Sequence, residues 1–424
     1  METKLETIRG YYNPSFIKLV VNADCDLGNL NIIQRQYFST FFHEYIHFIQ
    51  DVTTTFGLIN TTIVADRLKY YNKEFINHTA TNIAVPLPLH NHNTVATNYE
   101  LQNIYLGVGV TEHSDKIPTI ENVSIVDTNL KLGHPFNKFV QEVIVDYDFS
   151  GSKFQFRFGA LCLLENMAHI IQCKFFPEVQ HPDIPYRTAE LIAKFIYPTI
   201  GNSIEKVFAL CDACLMTFHP GEAFYKMITL MQKDNWNGEA KDIYEYVCKS
   251  MKIPDGKNIY DFFTEKSDET SQQLQDYFTT NVFIEEKNWV KIVLEEAKNI
   301  RLSNPSFLLD ILFAQTIPSK EFTELFTKLG TSLMMNHVGD AWFHPPENVN
   351  NPTQIQPDRM ASIYEVFRLF EYGNRNCGLK HYCMATVNVD KRCNIEPWTR
   401  YNDSNVCAYG QFWKTWELFN KTPV

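Results

Sequence analysis

No run of about 18 apolar residues occurs anywhere in the 424-residue chain, so no segment is expected to span a bilayer. The opening residues, Met1-Glu2-Thr3-Lys4-Leu5-Glu6, contain no apolar core of a secretory signal, which makes the cytoplasm the expected address. Basic charge is scarce: 38 Lys and Arg against 49 Asp and Glu leave a formal net charge of −11. That balance argues against a nucleic-acid partner held through its phosphates and against a polybasic membrane contact. Internal repeats and low-complexity tracts are also missing. What remains, with 45% hydrophobic and 14% aromatic residues, is a folded chain large enough for two or three subdomains around a sizeable core.

The most informative stretch is Phe41-Phe42-His43-Glu44-Tyr45-Ile46-His47-Phe48-Ile49-Gln50. Its His-Glu-x-x-His spacing places two imidazoles one turn apart on a helix, with a carboxylate beside them. Random order yields the pattern in roughly one chain of this composition in forty, so the motif alone is only suggestive. The context is independent of it. At 100° per residue, Gln36, Thr40, His43, Glu44, His47, Gln50, Asp51 and Thr54 share a third of the circumference. Tyr37, Phe38, Phe41, Phe42, Tyr45, Ile46, Phe48, Ile49 and Val52 fill the rest. The expectation is a mostly buried helix over 31–52 whose polar strip faces a metal, a cleft or a wet cavity. A hydrogen-bonded pair of helix histidines is the plainer alternative.

Residues 159–173 repeat this layout. Cys162, Glu165, His169 and Gln172 share one side, and Leu163, Leu164, Met167, Ile170 and Ile171 the other. Two such helices are what a buried site between helices requires. Between them, residues 85–89, 104–110, 123–132 and 140–156 favour strands, broken by Asn, Gly and Pro. A further strand is expected at 16–22. Helices are expected at 58–75, 189–200, 204–218, 221–232, 243–251, 307–314, 321–335 and 360–372, with a long amphipathic stretch over 271–301 that lies on the core or acts as a lid.

His43, Glu44 and His47 in such a helix resemble the zincin metallopeptidases. The resemblance implies Zn2+ held by His43 and His47, with Glu44 as general base and proton carrier. The glycine and third histidine of the metzincin branch are absent after His47. The gluzincin branch takes a glutamate from a later helix, and Glu165 in Leu164-Glu165-Asn166-Met167-Ala168-His169 matches that role, with His169 as the rival. If Glu165 is the ligand, His169 becomes a supporting group or a substrate contact. Tyr186 and Arg187 are candidates for the oxyanion donor that this hydrolysis needs. The implied fold is α+β, predominantly helical: a zincin-like core with a strand-rich insertion between the two metal-site helices. The implied function is cleavage of peptide bonds in a protein or peptide substrate; because an unrestrained cytosolic protease is hazardous, a regulatory partner protein is a further expectation. The alternative is a non-catalytic zincin-like scaffold or interaction module. Four segments are expected: 1–80 with the motif helix, 81–158 strand-rich, 159–300 helical, and 301–424 helical with a cysteine-rich tail.

That tail holds Cys377, Cys383, Cys393 and Cys407, four of the ten cysteines within 31 residues. They fit either a second, structural Zn2+ site or coincidence, because their gaps match no common finger. Cys211 and Cys214 lie in an apolar helix and read as core. His90-Asn91-His92 reads as a surface loop.

Overall fold

The computed structural model describes residues 10–15, 18–23, 26–30, 33–89, 94–107, 118–132, 138–253, 256–336, 339–386 and 389–424. The class is α+β and mostly helical, with helices taking 59% of the described residues. One continuous apolar cluster runs from Leu19 to Leu418 and draws on every quarter of the sequence. No described helix is long and apolar enough to cross a membrane.

The motif helix is α1, Arg35–Thr53. Its aromatic body is buried on all sides but one: Phe41, Phe42, Tyr45, Ile46, Phe48 and Ile49 are fully enclosed. It ends abruptly because Thr54 turns extended and starts α2, Thr55–Asn77, accepting the Gly57 N–H at 3.1 Å and donating to the Gln50 carbonyl at 2.7 Å. Gly57 permits that corner, since a Cβ there would stand 2.3 Å from the Asp51 carbonyl oxygen.

Beside α1 lies a four-stranded sheet in the order β1-β2-β7-β8, from Gly10–Asn13, Lys18–Val21, Met334–Asn336 and Ala341–Trp342. β1 and β2 are antiparallel, with Tyr12 opposite Leu19, and β2 runs parallel to β7, with Leu19 opposite Met334. The strand expected at 16–22 is therefore an interior one. The sheet edge next to the motif helix is β1. A two-stranded pair joins β3, Asn82–Ile83, to β9, Thr422–Pro423.

The strand-rich segment is an antiparallel meander of β4, Thr119–Lys131, β5, Phe139–Phe149, and β6, Ser152–Phe158. β6 alternates as its sequence suggests, burying Phe156 and Phe158 while Gln155 and Arg157 stay exposed. It runs through Gly159 straight into the second polar-strip helix, Ala160–Phe175. Before the meander stands α3, Thr94–Leu106, and the Ala160–Phe175 helix is then α4.

Four expectations are corrected. Residues 104–106 end α3 instead of starting a strand, while 108–110 lie outside the described residues. Residues 85–89 form no strand: the ladder with β9 ends at Ile83, and beyond it only single bonds continue, from Val85 to the Val424 carbonyl and from Leu87 to the Phe370 carbonyl. The stretch over 271–301 is the end of helix Ile259–Gln275 and most of helix Ile284–Ser303, separated by a short 3-10 turn. Trp289, Val290, Val293 and Leu294 are buried, so the second of these helices is core and not a lid. The helix expected over 321–335 stops at Leu329, because Gly330 adopts a φ of +61° and is pressed against the His344 carbonyl oxygen. The chain beyond it enters the sheet as β7.

α1 and α4 pack antiparallel. At one end, Arg35 donates to the Phe175 carbonyl at 2.6 Å; at the other, Gln50 Nε2 donates to the Leu164 carbonyl at 3.2 Å. Each polar strip is thereby turned toward the other. Farther from the site, Arg301 anchors the end of α1. Its Nε donates to the Thr53 carbonyl at 2.9 Å, and its guanidinium grips both oxygens of Asp212 at 2.9 Å, with neither side chain exposed. Asp212 belongs to helix Ile204–Leu215, whose Cys211 and Cys214 are fully buried, as an apolar helix dictates.

Candidate metal centre

His43 Nε2 lies 3.3 Å from Glu165 Oε2, His47 Nε2 lies 3.4 Å from the same oxygen, and the two Nε2 atoms are 3.3 Å apart. Among the described residues this is the group of three side chains whose ligand atoms gather within 4.8 Å, and it could hold a metal ion. Glu165, on α4, completes the set. His169 points elsewhere, with Nδ1 3.3 Å from His181 Nδ1 and 3.4 Å from Cys173 Sγ.

The hydrogen bonds behind the ligands fix their protons. Gln172 Nε2 donates to the Ser39 carbonyl at 3.0 Å, so its amide oxygen must be the atom 3.0 Å from His43 Nδ1. Gln50 Nε2 likewise donates to the Leu164 carbonyl, which turns its oxygen onto His47 Nδ1 at 2.8 Å. An amide oxygen only accepts, so both Nδ1 atoms carry hydrogen and both Nε2 lone pairs face the centre. Two imidazole lone pairs and a carboxylate this close repel one another unless a cation, proton or metal, sits among them. That donor set fits a metal.

The electrostatics describe the same demand. Burial disfavours charge on His47, yet the Glu165 carboxylate, with Glu44 and Gln50, outweighs it and lifts the His47 pKa to about 9. Burial also opposes the Glu165 charge, but His47 and His43 hold its carboxyl well below the usual range. Glu44, 8% exposed, is pushed upward by burial and by Glu165, while the two histidines and the Tyr12 backbone N–H pull it back. It borders the centre without joining the ligand set.

No sequence pattern marks His181. It lies in the turn after α4, where no periodicity marks a role, and its ring centroid is 5.4 Å from that of His43. Tyr186 packs against it at 4.2 Å with the rings tilted by 44°, and stands 6.0 Å from His43. Burial and then the Glu165 and Glu44 carboxylates push the Tyr186 pKa upward, so its hydroxyl keeps its proton next to the site. Arg187 is engaged instead with Asp183 at 3.0 Å and Glu190 at 3.9 Å. Burial, and after it His43 and Arg187, lowers the His169 pKa to about 4, leaving that ring neutral.

One wall of the centre opens. The side chains of His47 and Glu165 are 15% and 18% exposed and border a cavity of about 270 Å³, otherwise lined mainly by Tyr12, Pro14, Phe56, Leu106, Leu161 and Leu164. The four tail cysteines gather around a separate, much smaller space, and His90 and His92 lie outside the described residues. Compared with known proteins, the chain matches no family model, no curated protein and no solved structure, so the case for a metal centre stands on these side chains alone.

Proposed function

We propose that the protein is a zinc-dependent peptidase of gluzincin type, with His43, His47 and Glu165 as the ligands. The observation that carries this reading is the convergence of two imidazole Nε2 lone pairs and one carboxylate oxygen, with Glu44 at their side. His2Glu is a donor set that zinc accepts while leaving a coordination position open. Zinc bound there supplies Lewis acidity, acidifying water and polarising a carbonyl oxygen. The chain's own residues do the rest. Glu44 takes the proton of the attacking water on its carboxylate and hands it to the leaving amine. The Tyr186 hydroxyl donates to the oxyanion that develops on the substrate carbonyl, with His181 holding the tyrosine ring. The cavity between α1 and α4 accepts an apolar side chain. Among the described residues no strand pairs with the outer edge of β1, which suits an extended peptide.

The test is to purify the full chain, measure its metal by mass spectrometry, and assay cleavage of a peptide library. Glu44→Gln is expected to keep zinc and lose cleavage, and Glu165→Ala to lose zinc. A Glu44→Gln protein that cleaves like the wild type overturns the mechanism. A wild type that binds no metal leaves the scaffold reading.

A further inference from the structure

Four short segments of the tail converge on one point. Cys377 precedes helix Lys380–Thr386, Cys383 lies within it, Cys393 sits in the single turn Arg392–Ile395, and Cys407 is the N-cap of helix Ala408–Thr415. All four line one cavity of about 10 Å³, closed off by Leu379, Pro397, Arg400 and Tyr409. None is in a disulfide. Such a space holds no more than one small atom, too little for a cluster or an organic cofactor.

Arg400 Nη1, from a side chain only 3% exposed, donates to Cys393 Sγ at 3.2 Å. Burial pushes the Cys377, Cys383 and Cys407 thiols up, against a smaller opposing pull from backbone N–H groups beside Cys377 and Cys407. Neutral thiols gathered around one closed space ionise when a divalent metal displaces their protons.

We propose that Cys377, Cys383, Cys393 and Cys407 form a structural site for one thiophilic divalent metal, zinc by its preference for four sulfurs in a tetrahedron. The site is separate from the His43–His47–Glu165 centre and does not depend on the peptidase reading. Among the described residues only that centre has three ligand atoms within 4.8 Å of one another, so holding an ion would require the cysteine sulfurs to close inward. Its role is mechanical. Arg400 also binds Asp403 at 2.9 Å, and Asp403 binds Arg392, so the ion would tie three turns that have little apolar surface of their own. Cys383 and Leu379 join the small apolar cluster of Leu333, Met335 and Ala361, which backs β7. A fastened tail therefore supports the sheet beside α1.

The experiment uses the full chain and compares two variants with the wild type. The doubly substituted H47A/E165A protein is expected to retain one zinc per chain, and C383S/C393S to lose that ion. Replacing zinc by cobalt in H47A/E165A is expected to give an intense near-ultraviolet thiolate-to-cobalt charge-transfer band, which a His2Glu site cannot produce. If C383S/C393S does not fold, the cobalt spectrum of H47A/E165A decides alone. A folded H47A/E165A protein that holds no zinc and shows no such band overturns the proposal, as does a folded C383S/C393S protein that keeps the ion.

Discussion

Gln172→Leu isolates what the hydrogen bonds behind the metal ligands contribute. Gln172 is 3% exposed and makes three bonds of 3.0 Å, from its oxygen to His43 Nδ1 and from its nitrogen to Ser39 O and Ser39 Oγ. Leucine fills similar space and removes all three. The His43 N–H and the Ser39 carbonyl are then buried without a partner, at a cost of about 1–3 kcal/mol each where water cannot reach them. His43 is also free to turn or to change tautomer, so its Nε2 lone pair is no longer held on the centre. Loss of such a partner weakens metal binding roughly 10–100-fold, or about 1.4–2.7 kcal/mol. Gln172→Glu separates the two effects. It keeps an acceptor for His43 but turns a carboxylate toward the Ser39 carbonyl, so it should lower the stability of the metal-free protein while largely preserving affinity. Competition against a chromophoric chelator measures zinc binding, and urea unfolding of the metal-free protein measures stability. A folded Gln172→Leu protein with wild-type zinc affinity would refute the argument that Gln172 orients the ligand.

Three other outcomes are expected. Tyr186→Phe should lower kcat on a cleaved peptide roughly 10²–10³-fold with zinc content unchanged, and an unaltered kcat removes Tyr186 from the oxyanion role. Arg301→Met leaves Asp212 buried and unpaired and should cost about 3–5 kcal/mol in urea unfolding; a loss under 1 kcal/mol would contradict the reading. Asp51 gives a pH signature. Burial lifts its pKa from 3.8 to about 6, against the pull of the Ser15 N–H and the Tyr12 and Thr61 hydroxyls. The folded state thus binds this proton more tightly than the unfolded chain. Its contribution to stability is complete below about pH 4 and is lost as the pH rises through 6. Relative to Asp51→Asn, the wild type should lose roughly 3 kcal/mol between about pH 4 and 7, and parallel stability curves for the two proteins would rule this out.

The candidate metal centre was largely legible before the structure because its residues sit on helices. A 3.6-residue period converts spacing into direction, and Gln50 and Gln172 already belonged to the two polar strips, although nothing in the sequence linked them to the histidine Nδ1 atoms. His181 and its contact with Tyr186 were not legible, because a turn has no period and its direction is set by the elements it joins. Strand propensity misled at residues 104–106, where α3 packs its end against the start of α4 and tertiary contact overrides local preference. The helix expected over 321–335 failed at Gly330. A single glycine inside an apolar period is ambiguous until the neighbour pressed against it, here the His344 carbonyl, is known.

The parallel pairing of β2 with β7 has a consequence for how the molecule is made. About 300 residues separate those strands, and Tyr45 on α1 donates across a similar span to the Gly330 carbonyl. At a synthesis rate of about 5–20 residues per second, roughly 15–60 s pass between the emergence of β2 and that of its partner. Through that interval the ribosome carries a motif helix with aromatic sides still uncovered and a strand edge still unpaired. A nascent chain in that condition is a client for chaperones, and its candidate metal site gains full support only when translation is four-fifths complete.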